Sequence, residues 1–349
     1  MPVDLSVVQG DYFRDLLSQP KALQDTLGEL KESDELRTLA TSLHKGRFKS
    51  VVLTGMGSSF YALNPLLLQL TNAGFQTILV ETSELIYYRP RLLDPKSVIV
   101  AVSQSGRSAE TVRLLDANCR HAPVIAVTNT ADSPLARRAD VVLLTSAGKE
   151  FSVSCKTYVS ALLALSFLGD QFCRVPFGRT RRELRAVLRP ATHYLARWKD
   201  HVEGLLPILN GVRQLFLAGR GSSLAAVGTG ALILKESTQF PAEGLSSAAF
   251  RHGPFEMLGR ETFVLIFAGD AKTRELNKRL LKDIQTREGR AGLIVQGSRE
   301  SAWCLPRVRP SILPIMEIFP VQMLTLALAV TCGFQPGKFR LAAKITTTE

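Results

Sequence analysis

Four hydroxyl residues crowd one short stretch, "VAVSQSGRSAET" at 100–111: Ser103, Ser105, Ser108 and Thr111. They follow a run of small apolar residues that reads as a buried strand, and they lead into a helical pattern. Hydroxyls beside a helix N-terminus can donate hydrogen bonds to an anion while the helix end supplies a favourable field. Small side chains and Gly106 permit close approach of the backbone. The same residues would equally make a serine-rich helix cap.

A second feature bears on the choice. "LTGMGSS" at 53–59 and "LAGRGSS" at 217–223 agree at five of seven positions, 164 residues apart. Each sits at the end of an apolar run and opens a helical one. Dinucleotide binding needs G-x-G-x-x-G with an acid ending the next strand. Gly55, Gly57 and Glu81 fit, but Phe60 occupies the third glycine position. A Walker loop needs G-x-x-x-x-G-K-[ST], which neither copy supplies. A hydroxyl-lined pocket for a smaller anionic ligand is what these turns can make.

The elements around them repeat. "FKSVVLTG", "QTILVE", "SVIVAVS", "APVIAVTN" and "ADVVLLTS" read as five strands, with helical stretches between most of them, including one helix over "SSFYALNPLLLQLTNAG". "RQLFLAG", "TFVLIFAG" and "AGLIVQG" read as strands of a second unit, and 230–257 as helical. Near-continuous apolar strands alternating with helices predict parallel sheets covered on both faces. The expected organisation is an N-terminal helical segment (1–48), a first α/β domain (49–178), a basic helical linker (179–206) and a second α/β domain (207–349).

Composition narrows the class. The chain has 349 residues, 46% hydrophobic and 21% charged, as in soluble globular proteins. No basic segment followed by an apolar one opens the chain, so no signal peptide is expected. The apolar stretch 320–334 is short of the ~20 residues of a membrane span and reads as a core helix. Five cysteines lie scattered with no metal-ligand spacing, which suits a reducing cytoplasm. The net charge of +12 is dispersed apart from "RTRRELR" at 179–185, and no aromatics interleave with it. That argues against nucleic acid and for an anionic small molecule. No cofactor, metal or membrane partner is expected.

"VSQSGRSAET", "GMGSS", "ETSEL" and "RHGP", in this order and spacing, resemble the sugar isomerase (SIS) family. The similarity is greatest to the isomerase half of glucosamine-6-phosphate synthase and to stand-alone amino-sugar-phosphate deaminases and deglycases. It covers essentially the whole chain and implies two tandem SIS domains, each a parallel, flavodoxin-like three-layer α/β unit. By that resemblance Ser103, Gln104, Ser105 and Ser108 would hold a sugar phosphate, with Ser58 and Ser59 contacting phosphate or sugar hydroxyls. The second unit reads "FAGDAKT" at 267–273 where its own S-x-S-G turn should fall, and Asp270 would repel a phosphate. One phosphate cradle per chain is the expectation, with Ser222 or Ser223 still able to touch ligand.

Isomerising a sugar phosphate requires ring opening and proton transfer between C1 and C2, for which a carboxylate base and a proton shuttle are suited. Glu236 ends an apolar helical face, where burial would tune it. His252 precedes Gly253-Pro254, a turn that would fix its ring. The resemblance makes Glu236 the base and His252 the ring-opening acid/base, which in relatives reaches the neighbouring subunit's site; a homodimer with composite sites is implied. "RLAAKITTTE" resembles the family's closing L-x-K-V-T segment. Lys344 would meet the open-chain carbonyl there, by electrostatic stabilisation or as an imine. Several residues depart from the pattern: "SVSCKTYVS" lacks one residue, Ile233 stands where the synthase has a lysine, and Pro336 lies farther from the tail lysine. Isomerase, amine-releasing deaminase and deglycase remain alternatives, with a non-catalytic sugar-phosphate sensor as the other class. The chain begins Met-Pro-Val and goes straight into helix, so no glutaminase domain is expected.

Overall fold

The computed structural model describes residues 4–297, 301–341 and 344. It divides into two compact units. One contains residues 19–150 and 155–186 together with Leu341 and Lys344; the other contains residues 4–18, 151–154 and the described part of 187–340.

The first unit is built on β1 (Ser50–Gly55), β2 (Thr77–Glu81), β3 (Ser97–Val102), β4 (Val124–Thr128) and β5 (Val141–Leu144). All pairings are parallel, in the order β2-β1-β3-β4-β5. Every residue of β1, β3 and β4 is buried, as a sheet covered on both faces demands. One covering element is the Lys156–Phe172 helix, whose residues are nearly all buried. The single helix expected over 58–74 is two, Ser58–Ala62 and Asn64–Asn72, with Pro65 in the first turn of the second. A proline has no N–H for the preceding turn, so it starts a new helix instead of continuing the old one.

The second unit repeats the plan with β6 (Gln214–Gly219), β7 (Ala242–Ser246), β8 (Thr262–Phe267), β9 (Arg290–Gln296) and the two-residue β10 (Cys304–Leu305), all parallel in the order β10-β9-β8-β6-β7. Counted from its first strand, this is the first sheet's order again. The sequence reading of 230–257 as helical is corrected here. The helix Leu224–Thr238 is followed by β7, then by the short helix Ser247–Arg251. Gly244 makes β7 possible: a Cβ there would lie 2.6 Å from the carbonyl oxygen of Val227 on that helix.

The apolar stretch near the chain's end is longer than expected. It forms the helix Leu313–Cys332, with Pro320 inside it. With the preceding turn it is long and apolar enough to cross a membrane, yet that whole window is buried within the protein, as in a core helix. Pro320 reads in sequence as the start of the stretch; in the fold, neighbouring packing offsets one missing backbone bond. Tyr12 and Thr325 share a hydrogen bond at 3.0 Å, and Ser152 donates to the Gly337 carbonyl. Such contacts place residues 4–18 with the second sheet. The basic stretch 179–206 is likewise divided: the Phe177–Arg185 helix packs in the first unit, and Trp198–Leu209 in the second.

Candidate active site

The hydroxyl turn follows β3 directly. Ser103 and Ser105 are buried. The Ser103 hydroxyl oxygen accepts the Gly106 N–H at 3.2 Å, and that of Ser105 accepts the Arg107 N–H at 3.2 Å. A hydroxyl that accepts from the backbone keeps its own proton to donate, so the turn presents donors while its oxygens brace it. Ser108 is the N-cap of the helix Ala109–Ala117, accepting the Thr111 N–H and bonded to the Thr111 hydroxyl at 2.7 Å. Gly106 has φ +60°, and a Cβ on it would fall 2.3 Å from Ser133 Oγ. Both the backbone angle and the space exclude a side chain.

The GMGSS turn closes β1, the neighbour of β3, and Gly55 is the register partner of Val102. Ser58 and Ser59, both half-buried, begin the short helix behind it. The strand order reverses between β1 and β3, and in open α/β sheets the crevice outside the strand ends at that point is the usual ligand site. The two turns singled out by sequence therefore flank one crevice.

A cavity of about 580 Å³ lies at the carboxyl ends of β3, β4 and β5 and is lined by Gln104, Asn129, Thr130, Lys149, Glu150 and Lys344 among others. Asn129 organises it. Its N–H donates to the Gln104 carbonyl at 3.0 Å, its side-chain oxygen accepts the Ala147 N–H at 2.7 Å, and its side-chain nitrogen donates to the Gly148 carbonyl at 2.9 Å. Lys344 Nζ donates to Glu150 Oε2 at 2.6 Å. Gln104 of the hydroxyl turn and Lys344 of the tail thus line one wall system. Residues 345–349 of the expected L-x-K-V-T segment lie outside the described residues.

The second copy of the turn has a different fate. Ser222 and Ser223 are buried, and Ser223 donates to Glu317 Oε1 at 2.8 Å. At the end of β8 no hydroxyl turn forms. The Asn277 side chain donates to the Phe267 carbonyl at 2.8 Å, and Asp270 accepts the Lys272 N–H at 3.0 Å. Glu236 stands near the end of the Leu224–Thr238 helix, half-buried and not enclosed as the sequence pattern suggests. His252 is exposed and caps the end of the Ser247–Arg251 helix. A strand, Ala242–Ser246, and a short helix, Ser247–Arg251, separate it from Glu236.

Against known proteins, the SIS domain family matches residues 47–169 and 208–331. The chain belongs to that family. The two matched regions are the two sheets, and the duplicated glycine-serine turn is the start of each SIS region. A protein of Pyrococcus horikoshii named glutamine–fructose-6-phosphate aminotransferase (isomerizing) is 29% identical over 96% of this chain, which spans 57% of that relative. The C-terminal domain of glucosamine-fructose-6-phosphate aminotransferase from Francisella tularensis superposes with a TM-score of 0.83 at 20% identity, covering 95% of this chain and 98% of the other. Glucosamine-6-phosphate deaminase from Thermotoga maritima superposes at 0.71 and 19%, covering 95% and 100%.

Sequence reasoning missed two residues of the first SIS region's cavity, Asn129 and Glu150. Asn129 reads as the end of a strand and Glu150 as a loop charge. Glu150 carries one usable signal: it is an acid just ahead of the "SVSCKTY" stretch, which itself departs from the family pattern.

Proposed function

We propose that this SIS protein is a phosphosugar isomerase acting on an amino-sugar hexose 6-phosphate, by ring opening and C1/C2 proton transfer, with or without amine release. The observation that carries this reading is the cavity shared by Gln104 and Lys344. It joins the hydroxyl turn, suited to a phosphate, to a cation suited to an open-chain carbonyl. Its volume suits a small ligand. Membership in a family of phosphosugar isomerases supports the reaction class.

In this reading Ser103, Ser105 and Ser108 donate to the phosphate and Gln104 lines the sugar, with Ser58 and Ser59 on the other side of the crevice. Lys344 opposes charge developing on the carbonyl oxygen. Glu236 moves the C1/C2 proton and His252 opens the ring. The exposure of His252 favours service in the site of a second copy, so the active species is a homodimer.

The test is a substrate panel. Purified protein is offered hexose 6-phosphates, hexosamine 6-phosphates and fructosamine 6-phosphates, while ketose formation and ammonia release are followed separately. Ketose without ammonia marks an isomerase, and both together a deaminase. Release of an intact amine from a fructosamine adduct marks a deglycase. Tight binding of a sugar phosphate with no turnover of any panel member would make the protein a sensor and overturn the reading.

A further inference from the structure

Glu150 is an acid with no side-chain exposure in the wall of the cavity at the ends of β3, β4 and β5. Four hydrogen bonds hold it. Oε1 accepts the N–H of Cys155 at 2.9 Å and of Thr157 at 3.1 Å; Oε2 accepts the Thr157 hydroxyl at 2.7 Å and Lys344 Nζ at 2.6 Å. Cys155 is the N-cap of the 17-residue helix Lys156–Phe172. The carboxylate therefore sits on that helix's first turn, where the backbone donors and the helix field both favour an anion. A buried charge needs this much support. With every acceptor site near saturation, Glu150 is badly placed to move protons and well placed to hold a cation.

The partner it holds is far away in sequence. Lys344 lies 194 positions along the chain, and its side chain is about a quarter exposed. An amine on a flexible stem near a chain end samples many positions unless it is tied down. Here a fixed carboxylate oxygen holds it, 2.6 Å away and on the rim of the cavity.

We propose that Glu150 is the positioning residue for Lys344: its carboxylate, fixed on the first turn of the Lys156–Phe172 helix, holds the lysine ammonium in the wall of the cavity that Gln104 also lines. The proposal deepens the phosphosugar reading and rests on it for the role of Lys344. The ion pair itself does not depend on that reading.

Two measurements separate them. The first needs no substrate. Trace acetylation with acetic anhydride is followed by peptide mass spectrometry, with exposed Lys31 and Lys96 as internal standards. Glu150→Gln keeps a carbonyl oxygen for the Cys155 and Thr157 N–H groups but offers no carboxylate to the amine. Lys344 should then acetylate at least about fivefold faster than in the wild type, because the amine is no longer held against a buried carboxylate, a bond worth about 1 kcal/mol or more. An unchanged rate overturns the proposal, whether or not the protein turns over any sugar.

The second uses turnover. Glu150→Gln, Lys344→Met and the double variant should be equally slow, with KM for the sugar phosphate little changed, since each removes the same positioned cation. Independent, multiplying losses overturn the proposal. An inactive wild type with accelerated Lys344 acetylation in Glu150→Gln overturns the phosphosugar reading and leaves the positioning role standing. Should Glu150→Gln fail to fold, Lys344→Met decides. Loss of the cation beside a buried carboxylate lowers the melting temperature by several degrees, and an unmoved melting temperature would overturn the proposal.

Discussion

Ser223 of the second glycine-serine turn donates its hydroxyl to Glu317, a wholly buried acid on the long core helix. The same turn in the first SIS region leaves Ser58 and Ser59 half-buried at a crevice. One copy of the motif has become core, and the other stays partly open at the strand ends. Burial pushes the Glu317 carboxyl up to about 8; the Ser223 bond opposes that rise and nearby Asp270 adds to it.

A pH dependence of stability follows from that acid. Its folded value lies above the unfolded one of 4.5, so the folded state holds the proton more tightly. The contribution is fully present below pH 4.5 and is lost as pH rises through about 8. Each tenfold gain in proton affinity is worth about 1.4 kcal/mol, so the contribution is on the order of several kcal/mol. Glu317→Gln cannot ionise, so its melting temperature relative to the wild type should rise steadily between pH 5 and pH 9. Parallel curves for the two proteins across that range would show that Glu317 is not the group responsible.

The hydroxyl turn gives a second expectation. Because Ser103 and Ser105 each accept a backbone N–H of their own turn, replacing both with alanine removes brace and donor together. Calorimetry should show sugar-phosphate binding weaker by a few kcal/mol, and each lost internal bond should cost about 1 kcal/mol of stability. Gly106→Ala is the sharper probe. It disturbs the backbone at φ +60° and drives a methyl into Ser133, so binding should fail although every hydroxyl remains. Wild-type affinity in Gly106→Ala would mean that the turn does not hold the phosphate.

Much of this is readable from sequence, for identifiable reasons. A parallel strand buried on both faces is an apolar run, and β1, β3, β4, β6 and β8 are such runs. The strand β7 is not: it reads "AEGLS", only partly buried, and its glycine serves a helix crossing over it. Two-residue β10 has no periodicity to read. The hydroxyl turn is legible because several small polar residues and a glycine fall within one turn. Asn129 and Glu150 are not, because each is a single polar residue whose meaning lies in partners elsewhere. The bond from Lys344 to Glu150 closes a loop that no local pattern announces.

The expected assembly can be tested by mixing inactive chains. If His252 serves the partner's site, a His252→Ala chain and a Glu236→Gln chain form hybrid dimers with one complete site. After subunit exchange, activity should return to about a quarter of the wild-type level, since half the dimers are hybrids and half their sites are whole. Exchange verified by mass spectrometry with no return of activity would place both residues in the same chain's site.

Glu236 separates chemistry from binding. Glutamine keeps its shape and hydrogen-bonding capacity but cannot take the C1/C2 proton. Glu236→Gln should therefore lose about 10²–10⁴-fold or more in turnover while sugar-phosphate affinity stays nearly intact. The motive is where the side chain stands: half-buried, near the end of a helix most of whose residues are buried, in the SIS region whose glycine-serine turn has become core. That region keeps its acid and its histidine although its own hydroxyl turn is absent. In deuterated water the wild type should wash label into C1 or C2 of a substrate, and the variant should not. Label entering at the wild-type rate would remove Glu236 from the proton transfer and pass the role of base to another residue.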